Sequence, residues 1–150
     1  PGIDSFYSST DNNFFLTGVQ MEVGPVATEF EQEDFGTTLA KCQRYYQKWL
    51  SDSVGDSVMT AAAISDVAFI GDYFLKTSMR SVPTMGTSGT YKARLKTNDR
   101  AITGQPSINR ATTENVQIFA TIATDNDESG FAGFLKTDDD DAFLEFIAEL

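Results

Sequence analysis

Apolar and polar positions alternate in several short runs of this chain, and the alternation predicts an all-β protein. Phe15, Thr17, Val19, Met21 and Val23 fall on one face of the first run, with Phe14, Leu16, Gly18, Gln20 and Glu22 on the other. A period of two marks a half-buried strand. The second face passes from apolar to polar along its length, which suits a strand leaving a core. Gly24-Pro25 ends this strand in a turn, because proline brings no N–H to a ladder. Val26 to Phe30 is predicted as a short further strand. The period then changes. Leu39, Cys42, Tyr45 or Tyr46, and Trp49 recur every three to four residues between Gly36 and Leu50. That spacing predicts a helix of three turns or fewer, with Thr37 or Thr38 as its cap. The Tyr45-Tyr46 pair is equally suited to opening a strand.

Strand signals dominate the rest. Val67 to Ile70 and Tyr73 to Leu75 are β-rich pieces joined through Gly71-Asp72. Met79 to Pro83 follows, and Pro83 places its segment at an edge or a bulge. Tyr91, Ala93 and Leu95 alternate with Lys92, Arg94 and Lys96. Val116, Ile118, Ala120 and Ile122 alternate with Gln117, Phe119, Thr121 and Ala123. Phe131 to Leu135 and Ala142 to Leu150 complete the set. Gly86 to Gly89 and Gly104 to Pro106 read as turns. Short strands at this spacing, with one short helix, predict a β-sandwich or jelly roll.

Length and composition narrow the function. The 150 residues suit one domain, or one domain with a small preceding fragment. A formal charge of −11, from 22 acids against 11 bases, repels phosphate and argues against nucleic-acid binding. It also repels anionic membranes and acidic glycans, local patches aside. There is no histidine, which removes histidine triads, bases and metal ligands. Cys42 is the only cysteine, so no intrachain disulfide forms, and it reads as a small packing residue. No apolar run reaches the ~18 residues of a membrane span, and no insertion is expected. No signal peptide is apparent, and a start at Pro1 points to a piece of something longer.

The stretch Phe14 to Tyr46, FFLTGVQMEVGPVATEFEQEDFGTTLAKCQRYY, resembles the junction found in bacteriophage tail-fibre and receptor-binding proteins. There a "TGVQ-E-G-VATPFE" strand end precedes "G-ELA-CQRYY" and a distal β-domain. YFLKTSMRSVPTM, Tyr73 to Met85, is similar to the "F-V-MR--PT" strand of the same domains, and the final Ala148-Glu149-Leu150 to their "-AEL" ending. The three segments cover about a third of the chain. The resemblance implies that residues 1–35 are the terminal strands of a preceding jelly-roll module or linker, and 36–150 a distal tip domain. It implies a homotrimer on a virion tail fibre, extracellular at host attachment. The partners would be a bacterial surface glycan or other receptor and other virion tail proteins. Tyr45, Tyr46, Trp49, Phe69, Tyr73 and Phe74 would line either a three-fold core or a single-chain one. The alternatives are a structural virion protein, decorating a capsid or connecting fibres, and a polysaccharide-degrading tip enzyme.

Candidate chemistry is sparse. Sugar sites pair an aromatic platform with side chains that hydrogen-bond hydroxyls. The segment Thr97 to Arg110, read as a loop, supplies Asn98, Asp99, Arg100, Gln105, Asn109 and Arg110, with Tyr91 as the nearest aromatic. Thr97 to Ser129 matches nothing in the family pattern, as expected of a receptor-facing region. Asp125, Asp127 and Ser129, with Gly130 following, resemble half of a calcium loop. Lys136 stands where an EF-hand needs a bidentate glutamate, so only a looser calcium or magnesium site is expected, with no organic cofactor. Asp138 to Asp141 reads as a solvated acidic loop. Asp66, Asp72, Asp99, Glu114 and Asp125 are carboxylates for glycoside cleavage, but no spacing selects a pair, and a non-enzyme is expected. Lys92, Arg94 and Lys96, with Arg100 and Lys76, form a basic patch. It is read as a strand face balanced by nearby acids, or else as an anion-recognising or intersubunit face.

Overall fold

The computed structural model describes residues 15–123 and 129–149. The chain divides into two units, Pro1–Asp34 and Phe35–Leu150. In the first, residues 15–34 contain neither helix nor strand. The expected strand over Phe15 to Val23, and the short one over Val26 to Phe30, are therefore not formed; Phe14 lies outside the described residues. A strand needs a ladder partner as well as an alternating pattern. Side chains provide the local order instead. Gln20 Nε2 donates to Thr28 Oγ1 at 3.2 Å, Thr28 Oγ1 to the Glu22 carboxylate at 2.7 Å, and the Glu31 N–H to Gln20 Oε1 at 2.8 Å. These bonds fold residues 20–22 against 28–31 around Gly24-Pro25. Phe15, Val19, Met21 and Val23 remain exposed.

The second unit is all-β after one helix, α1 (Phe35–Gln43). The helix stops well short of Leu50, because Tyr46–Leu50 is strand β1, as the tyrosine pair allowed. Cys42 is exposed and packs in no core. The remaining strands are β2 (Ser57–Ser65), β3 (Ala68–Phe74), β4 (Thr84–Ser88), β5 (Tyr91–Leu95), β6 (Asn98–Ala111), β7 (Asn115–Ile122), β8 (Ala132–Thr137) and β9 (Phe143–Ile147). Six of them close into an antiparallel barrel in the order β2-β3-β7-β6-β5-β8, and β1-β9-β4 form a separate sheet. This is not the pair of facing sheets expected of a sandwich or jelly roll.

Barrel closure follows from the inward residues. Ala61, Ala63, Ala93 and Ala120 share the interior with Phe69, Leu95, Val116, Ile118, Ile122 and Leu135. A barrel of fewer than about eight strands has a narrow lumen that only a mixture of small and large side chains fills. Two glycines let their strands lie close against their neighbours. A Cβ on Gly71 would lie 2.5 Å from Thr60 O, and one on Gly133 would clash with the Arg94 carbonyl oxygen. The strand therefore runs straight through Gly71-Asp72, read above as a joint. Gly86 to Ser88 belongs to β4, and only Gly89, at φ +91°, makes the turn. Gly104 to Pro106 is likewise no hairpin turn but a bulge within β6, where Thr103 opposes Thr121 and Ser107 opposes Phe119. Pro83 precedes β4, an edge strand of the small sheet.

The small sheet shares the barrel's core through Leu144, Phe146, Ala142 and Ala148. Phe146 stacks on Tyr73 with ring centroids 5.0 Å apart. Of the aromatics assigned to a core, Phe69, Tyr73 and Trp49 pack within the single chain, whereas Tyr45, Tyr46 and Phe74 are exposed.

Candidate functional site

The outer face of β3, β7 and β6 brings together an exposed aromatic and a set of polar side chains with unused hydrogen-bonding capacity. Alternation places them there. Phe69 and Tyr73 of β3, with Val116, Ile118, Ala120 and Ile122 of β7, face the core, so the intervening residues face solvent. The antiparallel register then sets Ile70 opposite Phe119, Asp72 opposite Gln117, and Phe74 opposite Asn115. Side chains opposed in this way sit about 5 Å apart at Cβ. β6 adds a third row. A bulge between Ile108 and Arg110 leaves both Asn109 and Arg110 beside Gln117. Asn109 Nδ2 donates to Gln117 Oε1 at 2.8 Å.

Two depressions meet on this face. A polar notch of about 160 Å³ is lined by Asp72, Arg110, Ala111, Thr112, Asn115 and Gln117. An open, largely apolar groove of about 540 Å³ runs over Thr60, Ala62, Ile70, Phe74 and Ala132, and Asp72 borders it too. Phe74 stands at its edge with 75 % of its surface exposed. The notch is braced by the β6–β7 turn. Thr112 Oγ1 donates to Asn115 Oδ1 at 2.6 Å and accepts from the backbone N–H groups of Glu114 and Asn115. With Asn115 Oδ1 and Gln117 Oε1 so engaged, the amide N–H groups of both residues are left to donate outward. The Arg110 guanidinium adds donors and the Asp72 carboxylate supplies acceptors. Neither makes an ion pair or side-chain hydrogen bond among the described residues. Donors, one carboxylate and a neighbouring apolar ring are what a sugar needs: hydroxyls to bond and a C–H face to cover.

The residues singled out from the sequence do not converge on one place. Asn109 and Arg110 belong to this face. Asn98, Asp99 and Arg100 lie at the β5–β6 hairpin, on a strand and not in a loop. Asp99 there pairs with Lys136 at 2.7 Å and with Arg94 at 3.1 Å. The hydrogen bond from Lys136, then that from Arg94, holds the Asp99 carboxyl below its ordinary range. Gln105 donates to the Gly89 carbonyl and accepts from Thr87 Oγ1, both at 2.8 Å, tying the β6 bulge to β4. Tyr91 is no platform: it is 4 % exposed, and its hydroxyl donates toward the carbonyls of Phe143 and Ser88. Burial, then the charge of Asp139, pushes its phenol well up.

Asp125 and Asp127 lie outside the described residues, and Ser129 is exposed in the turn before β8. Among the described residues, no three Asp, Glu or Cys side chains are grouped to hold a metal ion. The basic face of β5 is balanced by acids: Lys92 pairs with Asp138 at 2.5 Å, Arg94 with Asp99, and Lys96 lies 3.8 Å from the Phe131 ring centroid. The acidic run is correspondingly more engaged than a solvated loop. Asp139 accepts from the Thr90 N–H and hydroxyl at 2.6 and 2.7 Å.

Sequence reasoning missed Phe74, Asn115 and Gln117 as site residues. The available signal was the strict alternation of β7, which throws Asn115 and Gln117 to the face opposite Val116 and Ile118. Compared with protein-family models, with curated proteins and with solved structures, the chain shows no match.

Proposed function

We propose that this chain is a non-catalytic attachment domain that binds a bacterial surface glycan through the outer face of β3, β7 and β6. The observation that carries the reading is the juxtaposition of exposed Phe74 with the amide N–H groups of Asn115 and Gln117 and with Asp72 and Arg110, which make no ion pair or side-chain hydrogen bond among the described residues. A rigid barrel presenting such a face suits recognition by a preformed surface. The resemblance of Phe14 to Tyr46 to tail-fibre junctions supplies the setting: a virion fibre, assembled as a homotrimer, in which three weak sites add by avidity. A lining with one carboxylate favours binding over glycoside cleavage, which needs two.

A structural virion role is the second reading. The exposed apolar side chains of residues 15–30, among them Phe15, Val19, Met21 and Val23, favour burial against another protein. Adsorption separates the two. Under the attachment reading, excess purified chain competes with virions for host cells, and virions lacking the domain adsorb poorly. Normal adsorption in both arms would leave only the structural role.

A further inference from the structure

The face formed by β3, β7 and β6 is chemically divided, and the division selects a class of sugar. Asp72 lies where the two depressions meet, lining both the polar notch and the apolar groove. The groove opens where strand pairing stops. β2 and β3 are in register only from the Ala61/Gly71 pair to the Ser65/Ala68 pair. Towards Phe74, β3 has a ladder partner in β7 alone, and the start of β2 has one in β8 alone. The groove side chains Thr60, Ala62, Ile70 and Phe74 bring one hydroxyl and no charge. With strands in the order β2-β3-β7-β6, the face therefore runs from apolar groove to Asp72, then Gln117, then Arg110.

Asp72 and Arg110 both stand opposite Gln117, on its two sides, so two strand spacings, about 10 Å, separate their backbones. They form no ion pair with each other or with any other described residue. One anion and one cation thus flank the same notch. A sugar ammonium gains from Asp72 and loses to Arg110, and a uronate or sulfate does the reverse. A neutral group with a strong dipole gains at both ends. A secondary amide is such a group, with a dipole of about 3.5 D. Its trans geometry sets the N–H and the acyl carbon chain on one edge and the C=O on the other. In an acetamide, the N–H and methyl then point one way and the carbonyl the opposite way. The face has the same polarity: a carboxylate acceptor beside an apolar groove on one side, and amide and guanidinium donors on the other.

We propose that the glycan held at this face carries an acetamido group, so that the ligand is an N-acetylated amino sugar. The acetamido N–H donates to Asp72, its carbonyl accepts from Gln117 and Arg110, and its methyl enters the groove against Ile70 and Phe74. The inference rests on the attachment reading and adds the class of sugar to it. Asp72 is then the residue that determines specificity, because it alone belongs to both the polar and the apolar halves of the site together with the ring-bearing strand.

The test is an amide chemical-shift titration of the full chain with N-acetylglucosamine, N-acetylgalactosamine and N-acetylmannosamine, beside glucose, galactose, mannose, glucosamine and glucuronate. At least one N-acetylated sugar should shift Asp72, Phe74, Asn115 and Gln117 saturably, with an affinity about tenfold or more above that of its parent hexose and of the two charged sugars. Saturating the Ile70 methyl protons should transfer to its acetyl methyl. Asp72→Asn should weaken the N-acetylated sugar about tenfold, leave the hexose unchanged and improve glucuronate. Arg110→Ala should improve glucosamine. A hexose that binds these residues as tightly as its N-acetylated form, or an acetamido preference that survives Asp72→Asn, overturns the inference and leaves the attachment reading standing. No shift of these residues with any of the sugars overturns the inference too, and glycan-array binding by the parent then decides the attachment reading separately.

Discussion

Replacing Gln47 with leucine removes a brace while nearly preserving volume. The side chain makes three hydrogen bonds, two to backbone carbonyls and one from a backbone N–H, at 2.8 to 3.0 Å. A hydrogen bond contributes about 1 kcal/mol net, and an orphaned buried group costs about 1–3 kcal/mol. The Lys76 N–H and the carbonyls of Gln43 and Thr77 would all be stranded, although water entering from the surface can reach some of them. Leucine returns part of the loss through apolar burial. The balance is a destabilisation of about 2–4 kcal/mol. With a urea dependence of about 1.5 kcal/mol per molar, the unfolding midpoint should fall by roughly 1.5–2.5 M. Trp49, the only tryptophan, sits half-buried two residues away on β1 and reports the transition by fluorescence. The same variant should loosen the end of α1 from Lys76 and Thr77, seen as faster amide hydrogen exchange there. A midpoint shift below about 0.5 M, or hydrogen exchange equal to the parent's, would refute the bracing role.

Four further outcomes are expected. Gly133→Ala should abolish cooperative unfolding or cost more than about 3 kcal/mol, because its Cβ would meet a β5 carbonyl and prise open the β5–β8 seam; a wild-type melting curve would argue against closure there. Phe69→Ala should cost about 3–5 kcal/mol by chemical denaturation, as its ring is fully buried among the strands. The Asp99 carboxyl is held below its unfolded value, so its contribution to stability is present above about pH 4 and disappears as pH falls through the folded value. The stability gap between parent and Asp99→Asn should accordingly be flat near neutrality and close in acid. Tyr91→Phe should lower stability by about 1–2 kcal/mol, through loss of the hydroxyl bond to the Phe143 carbonyl, and should leave glycan binding unchanged.

The elements legible in the sequence were those whose two faces differ. Tyr91, Ala93 and Leu95, like Val116, Ile118, Ala120 and Ile122, are buried at every second position, as their alternation implied. β6 reads as a loop in the sequence because its residues are polar on both faces and because Gly104 and Pro106 look like a turn. Its ladder is completed by β5 and β7, so pairing does what side-chain pattern does elsewhere. β2 escaped notice for the opposite reason: its alanines suit a narrow barrel, a need that exists only once six strands have closed. Residues 15–23 show the converse error, since alternation there has no ladder partner among the described residues. Within the candidate site, Asn109 and Arg110 stand out in the sequence by their chemistry and Asp72 as a carboxylate. Phe74, Asn115 and Gln117 could join them only through register, which is a long-range property of the fold.

The most direct test of the attachment reading is a binding comparison on an array of bacterial surface glycans, using the purified chain beside Phe74→Ala and Gln117→Ala. Both positions are on the solvent face, so both variants should melt within about 0.5 kcal/mol of the parent. The account predicts that the parent binds a defined glycan set and that each variant loses about tenfold in affinity for it, in line with about 1.4 kcal/mol for a lost stacking or hydrogen-bond contact. Binding that survives both substitutions unchanged, or no binding by the parent at all, would contradict it.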